Sequence, residues 1–301
     1  MKIKCGIVGY GNLGKAIEKQ VYTDNNFELV CVFSKRDIKA KFAKVDNVEN
    51  IEKYKDKIDL LFLCGGSSSN LTAQAYECLK NFNTIDAYDN HKEIKDYVNS
   101  CNVIAKENSK VAFCCFGWDP GVFSLIRILL SSLKQKFYTI WGKGISQGHS
   151  EALRKINGVK NAVSYTIPNK KYIKCLKNNK VSNGFLHNRK CYIVSENKDK
   201  SNIKKAVLNH KYFQNCKVKF CFVNEKQFLK HSKLFHKGEI FTSNNSYNFK
   251  VKMQDNASFT ANILVCYANM VYKFYKQSKF GAYTIGDIPI NQLVQNPYQF
   301  I

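Results

Sequence analysis

Apolar positions along this chain fall into two textures that change near residue 137. In the first part, Ile3–Val8, Phe27–Phe33, Ile58–Cys64 and Val111–Phe116 are short, mainly apolar runs. Runs of that length predict strands, and Ile58–Cys64 is continuous enough for burial on both sheet faces. Lys15–Val21, Leu71–Asn81 and roughly 91–107 predict helices between them, and Asn83–Asp89 adds a further strand. Alternating strand and helix through residue 116 predicts a doubly wound α/β sheet. The apolar run Val122–Leu133 predicts a helix. Beyond it, Tyr138–Trp141, Ala162–Ile167, Cys191–Val194, Val218–Val223, Glu239–Thr242 and Tyr247–Val251 predict strands, with helices near 146–157, 169–178, 201–212 and 225–230. This stretch predicts a second, α+β domain without an internal repeat. Phe259–Gln277 again has helical spacing, and 281–301 reads as a short irregular tail.

The first strand runs into Gly9-Tyr10-Gly11-Asn12-Leu13-Gly14. A G-x-G-x-x-G turn between strand and helix is a dinucleotide signature. Gly9 permits the turn, Gly11 admits a pyrophosphate to the backbone, and Gly14 lets helix pack on strand. The helix N-terminus then offers unpaired N–H groups to the phosphates. The second strand ends in Ser34-Lys35-Arg36, about 20 residues on, where an NAD-specific fold places an acid for the ribose 2′-hydroxyl. A hydroxyl and two cations suit a 2′-phosphate, so NADP is the expected cofactor. Charge-assisted hydrogen bonds of roughly 1.5–3 kcal/mol correspond to about a 10- to 150-fold preference. The plainer reading of the same triplet is a polar turn with surface cations. Gly65-Gly66-Ser67-Ser68-Ser69 follows the third strand, at the ligand edge of such a sheet.

Composition changes the picture little. The 301 residues suffice for two domains, and 45% hydrophobic residues can build real cores. No apolar run approaches the roughly 18 residues of a membrane span, and no signal peptide precedes the first strand. The expectation is a soluble, cytoplasmic protein with no membrane partner. Twelve scattered cysteines form no C-x-x-C pair, which predicts buried free thiols and no metal site. The net charge of +24 is spread through every segment. It reads as a solvated lysine-rich surface, with no nucleic-acid partner, that would still steer a polyanionic cofactor inward. Asp119-Pro120 is a strong helix start, with Asp as N-cap and Pro at the first helical position, and that structural role competes with any catalytic one.

Taken together, Val8–Gly14, Phe33–Arg36, Leu61–Cys64, Tyr88-Asp89-Asn90-His91, Gly117-Trp118-Asp119-Pro120-Gly121, Trp141-Gly142, Ser146-Gln147-Gly148-His149-Ser150 and Phe259-Thr260-Ala261 resemble the meso-diaminopimelate dehydrogenase family. The glycine motif is generic, whereas Gly-Trp-Asp-Pro-Gly and Ser-Gln-Gly-His-Ser are specific, and the matches run in family order over nearly the whole chain. The resemblance implies a Rossmann-type dinucleotide-binding domain from residues 1–117 plus 257–301. It places a substrate-binding and dimerisation domain at 118–256, in a homodimer. The implied reaction is NADP-dependent oxidative deamination of meso-2,6-diaminopimelate at its D-centre, a step of lysine biosynthesis.

By the same resemblance, Tyr10, Gly11, Asn12, Leu13, Ser34, Lys35, Arg36, Cys64, Gly65, Gly66, Ser67, Ala87, Tyr88, Asp89, Phe116, Gly117, Trp118, Asp119 and Pro120 contact the cofactor. Asp89, Asp119, Trp118 and Trp141 surround the reacting centre, with Gln147 and Gly148 nearby. Thr166, Arg189, His236 and Asn256 hold the distal L-centre. The substrate carries two ammonium and two carboxylate groups, and Arg189 suits a carboxylate through two parallel N–H bonds. Asp119 and Asp89 are the candidates to recognise ammonium and manage its proton. His149 and Ser150 sit at an expected helix start, where packing and capping explain them better than catalysis. Cys115-Phe116 and the bulky Leu234-Phe235 beside His236 depart from the family pattern. Two rivals remain: a related NADP-dependent D-amino acid dehydrogenase or oxo-acid reductase, and a nicotinamide-sensing regulator, for which no helix-turn-helix segment is found.

Overall fold

The computed structural model describes residues 2–67, 70–180, 184–196, 200–214, 216–231, 236–243, 246–294 and 296–300, and the backbone alone at Gln147. The chain forms two compact units, residues 1–128 with 257–301, and residues 129–256.

The first unit contains β1 (Ile3–Val8), α1 (Asn12–Thr23), β2 (Phe27–Ser34), β3 (Lys44–Asn47), β4 (Leu60–Leu63), α2 (Leu71–Cys78), β5 (Asn83–Asp86), α3 (Ile94–Glu107), β6 (Val111–Phe113) and the start of α4 (Val122–Ser132). Its seven-stranded sheet has the order β14-β6-β5-β4-β1-β2-β3, where β14 is Gly281–Tyr283 near the C-terminus. Every pairing is parallel. The order reverses between β1 and β4, which puts the switch point, and with it the ligand crevice of such sheets, at their carboxyl ends. Both faces are covered, as a parallel sheet requires. On one face Cys5, Ile7 and Phe62 pack with Ile17 and Val21 of α1 and with Leu264, Ala268 and Val271 of α9 (Asn256–Lys276). On the other, Val8, Leu61 and Leu63 pack with Ala75 of α2 and Tyr97, Cys101 and Ala105 of α3.

Two expectations are corrected here. The stretch after residue 281 is not simply an irregular tail: Gly281–Tyr283 adds an edge strand beside β6, held by Gly281 N–H to Lys110 O and Ala282 N–H to Asn102 Oδ1. Three residues are too few to show periodicity. Nor is Pro120 the first residue of a helix capped by Asp119. The helix begins at Val122, and the preceding residues form a turn in which Gly117 N–H donates to Pro120 O. The polar edge strand β3 also had no apolar run to announce it.

The second unit holds β7 (Phe137–Trp141), β8 (Gly144–Ser146), α5 (Gln147–Arg154), β9 (Val159–Pro168), α6 (Lys170–Lys177), β10 (His187–Ser195), α7 (Lys200–Asn209), β11 (Lys217–Phe222), α8 (Glu225–Phe228), β12 (His236–Thr242) and β13 (Asn248–Met253). It builds a four-stranded sheet, β11-β10-β9-β8, and a three-stranded antiparallel one, β13-β12-β7. Leu153, Ile193, Val207 and Phe213 anchor a core on the first sheet, and Ile140, Leu176 and Phe241 one on the second. The twelve cysteines are free, most of them buried.

Candidate active site

In the first unit the glycine turn lies at the switch point. Gly9 N–H donates to Phe33 O and Cys64 N–H to Val8 O, so β1, β2 and β4 end together. A methyl group on Gly14 would stand 2.3 Å from Gly9 O, so nothing larger than glycine lets α1 approach the turn. Beside Gly11 the space is open. Gly11 caps α1 without a side-chain hydrogen bond, and no acid stands in the first turn at Asn12 and Leu13. The helix end therefore presents free donors and a positive dipole end to an anion.

The turn after β2 is tied to α1 by a residue that sequence reading missed. Glu18, buried on α1, accepts from Tyr10 Oη and from the backbone N–H groups of Lys41 and Phe42. Ser34 is buried and its Oγ accepts from Arg36 N–H, while the Lys35 and Arg36 side chains are exposed and unpaired among the described residues. Across the switch point, Gly65 packs on the Gln74 amide, whose Oε1 is buried without a partner among the described residues. An open glycine, an uncapped helix end, unpaired cations and an orphaned amide oxygen fit a dinucleotide. Ser68 and Ser69 of the same turn lie outside the described residues.

A second missed residue organises the other rim. Asp86, at the end of β5, accepts from Tyr88 N–H at 2.9 Å, Cys115 N–H at 3.0 Å and Tyr97 Oη at 2.6 Å. One buried carboxylate thus pins the turn Ala87–Asp89 to the turn Cys114–Gly117. Burial pushes its carboxyl group up, against three hydrogen bonds that hold it down. Tyr88 stacks on Tyr97, Phe116 on Phe113, and Asp89 N–H donates to Ser67 Oγ at 3.1 Å. The Asp89 side chain is exposed. Trp118 meets Phe123 edge to face, and the Asp119 carboxylate, fully buried, is paired with both Nη atoms of Arg127 on α4. A methyl on Gly121 would overlap Gly117 O, which makes glycine obligatory in this turn.

In the second unit, Thr166 of β9 and Arg189 of β10 are register partners, and Arg189 Nη1 donates to Thr166 Oγ1. Arg189 is largely buried, its Nε has no partner among the described residues, and desolvation lowers its pKa. His236, first residue of β12, hydrogen-bonds the backbone at Ile145, and burial first of all pushes its pKa down. Asn256 Oδ1, at the start of α9, is buried and unpartnered among the described residues. Trp141 N–H donates to Nε2 of His187, whose ring leans on the indole at 5.1 Å, and burial holds His187 neutral with a pKa of about 4. Arg189 and His187 line a cavity of about 330 Å³ with Tyr138, Tyr172 and Cys216. Gln147 and Gly148 open α5 after Ser146, whose Oγ bonds His149 Nδ1 instead of capping the helix. His149 Nε2 donates to Tyr212 O, so that histidine is a half-buried strut. Leu234 and Phe235, and the Gln147 side chain, lie outside the described residues.

A parallel sheet with a glycine turn at its switch point, in a chain that continues into a separate sheet unit, is the architecture of a dinucleotide-binding α/β protein. A family model described as the diaminopimelic acid dehydrogenase C-terminal domain matches residues 117–259. The meso-diaminopimelate D-dehydrogenase of Ureibacillus thermosphaericus is 38% identical over 97% of this chain and 95% of its own length. Among solved structures, the C. glutamicum diaminopimelate dehydrogenase in complex with diaminopimelate superposes with a TM-score of 0.90 at 31% identity, covering 99% of this chain and 98% of that one. An engineered D-amino acid dehydrogenase bound to NADP+ gives 0.87 at 30% identity, over 98% and 97%. The chain belongs to the meso-diaminopimelate dehydrogenase family.

Proposed function

We propose that the protein catalyses the reversible NADP-dependent oxidative deamination of meso-2,6-diaminopimelate at its D-centre. The products are L-2-amino-6-oxoheptanedioate, ammonia and NADPH. What carries the reading is the full-length likeness to a diaminopimelate-bound dehydrogenase, and the NADP+-bound relative supports the cofactor. When bound, NADP supplies the hydride acceptor. The Tyr10–Leu13 turn, Cys64–Ser67, Ala87–Asp89 and Phe116–Pro120 form its cradle, with Ser34, Lys35 and Arg36 on its 2′-phosphate. Residues 1–117 with 257–301 act as the dinucleotide domain, and residues 118–256 take substrate and dimerise.

The chain's own residues recognise the substrate and move its proton. Asp89 and Asp119 face the reacting ammonium, with Trp118, Trp141, Gln147 and Gly148 around it. Thr166, Arg189, His236 and Asn256 take the distal amino-acid group. Fixing that distal end selects the handedness of the centre that reacts. The ammonium must lose a proton before the C–H bond breaks, because the forming C=N bond uses the nitrogen lone pair. Water then adds to the imine and ammonia departs. No covalent nucleophile is needed.

The test is NADPH formation by purified protein with each diaminopimelate stereoisomer. Activity with the meso form alone is expected. Equal rates with the LL form, or none with meso, would reject the assignment. The engineered relative motivates a second reading, a D-amino acid dehydrogenase with a different substrate. D-lysine, which lacks the distal carboxylate, separates the two: on the diaminopimelate reading it reacts poorly. Light scattering tests the homodimer, and fractionation the cytoplasmic location. No helix of the described residues is long and apolar enough to cross a membrane.

A further inference from the structure

Asp119 and Asp89 differ sharply in surroundings. The Asp119 side chain has no exposure, and Arg127 reaches back along α4 to it, Nη1 lying 3.3 Å from Oδ2 and Nη2 on Oδ1. Ser124 stands one turn earlier on the same helix face. Its Oγ lies 3.4 Å from Arg127 Nη2 and accepts from Gly121 N–H at 3.2 Å. The guanidinium is therefore fixed to the turn that carries Trp118 and Asp119. A forked guanidinium gives a carboxylate two charge-assisted hydrogen bonds and fixes the plane of the group. It engages both oxygens, each of which keeps a further lone pair for an ammonium donor. The Asp89 carboxylate is exposed, and no ion pair holds it among the described residues.

We propose that Arg127 is the positioning residue that divides the labour between these carboxylates. It holds the Asp119 carboxylate aimed, so that Asp119 anchors the substrate ammonium while Asp89, directly or through water, accepts its proton. The ammonium N–H bond breaks, its electron pair stays on nitrogen, and the proton goes to the Asp89 carboxylate. This rests on the diaminopimelate dehydrogenase reading.

The experiment compares wild type with Arg127→Met and Arg127→Lys over pH 5–10, measuring kcat and KM for meso-diaminopimelate and the melting temperature. Without the guanidinium, KM should rise about tenfold with a smaller fall in kcat. Arg127→Lys should keep a raised KM, because an ammonium supplies the charge but not the fork. A lowered melting temperature with unmoved KM would overturn the proposal and leave an ordinary structural ion pair. If Arg127→Met does not fold, the lysine variant decides: an unchanged KM overturns it. An inactive wild type would instead reject the underlying function.

Discussion

Ser34, Lys35 and Arg36 show how much one triplet decides. Only the hydroxyl is buried, and the two cations stand exposed and unpaired among the described residues. Replacing Arg36 by Asp should lower kcat/KM for NADP by about tenfold or more while sparing NAD. Unchanged NADP kinetics would return the triplet to a plain polar turn. Asp119 carries the complementary test. Its capping role was legible in Asp-Pro but is not what the fold uses: the helix starts later, and the carboxylate faces Arg127. Asp119→Asn should cut kcat/KM by about 10²-fold or more; a mainly thermal defect with near-normal kinetics would make the pair purely structural. Asp86 and Glu18 were not legible at all. Each serves backbone N–H groups far along the chain, at separations of 29 residues for Cys115 and 24 for Phe42, and local patterns carry no trace of such partners.

At the scale of elements, the sequence was most readable where strands are continuously apolar and helices are long. β4 falls close to its expected bounds because burial on both faces leaves no room for polar residues, and β1 and α9 do so because their apolar residues recur along a longer stretch. β3, β8 and β14 are three or four residues long, too short for periodicity to register. α5 carries a consequence of its own. His149 is neutral between Ser146 Oγ and Tyr212 O, its pKa pushed to about 3 by burial and then by Arg189. An unfolded histidine titrates near pH 6.5. As pH falls below that value the unfolded chain takes a proton that the folded one refuses. Stability is then lost by up to about 1.4 kcal/mol per pH unit for such a group. His187, at about 4, acts in the same direction. The urea midpoint should therefore fall between pH 7 and 5, and His149→Gln, which can still donate to Tyr212 O, should flatten the slope. A midpoint that stays level over that range would show that His149 does not stay neutral.

For the whole molecule, +24 is a charge that no single site explains. Besides Lys35 and Arg36, a cavity of about 650 Å³ in the second unit is bordered by Lys170, Lys174, Lys237, Lys250 and Lys252, and by Lys177, which pairs with Glu239. Positive charge is thus distributed over both units, and a field of that kind acts on encounter more than on the bound state. The cofactor is a polyanion, whereas diaminopimelate carries balanced charges. Salt should then separate the two. Raising ionic strength from about 0.02 to 0.3 M shrinks the screening length from roughly 20 to 6 Å. Stopped-flow association of NADPH should slow by about tenfold, while KM for diaminopimelate at saturating NADP changes little. The Arg36→Asp variant should keep most of this salt slope, because steering comes from the whole surface and not from one contact. If instead that single substitution abolished the slope, the charge would matter only at the 2′-phosphate, and the remaining lysines would be mere solvated surface.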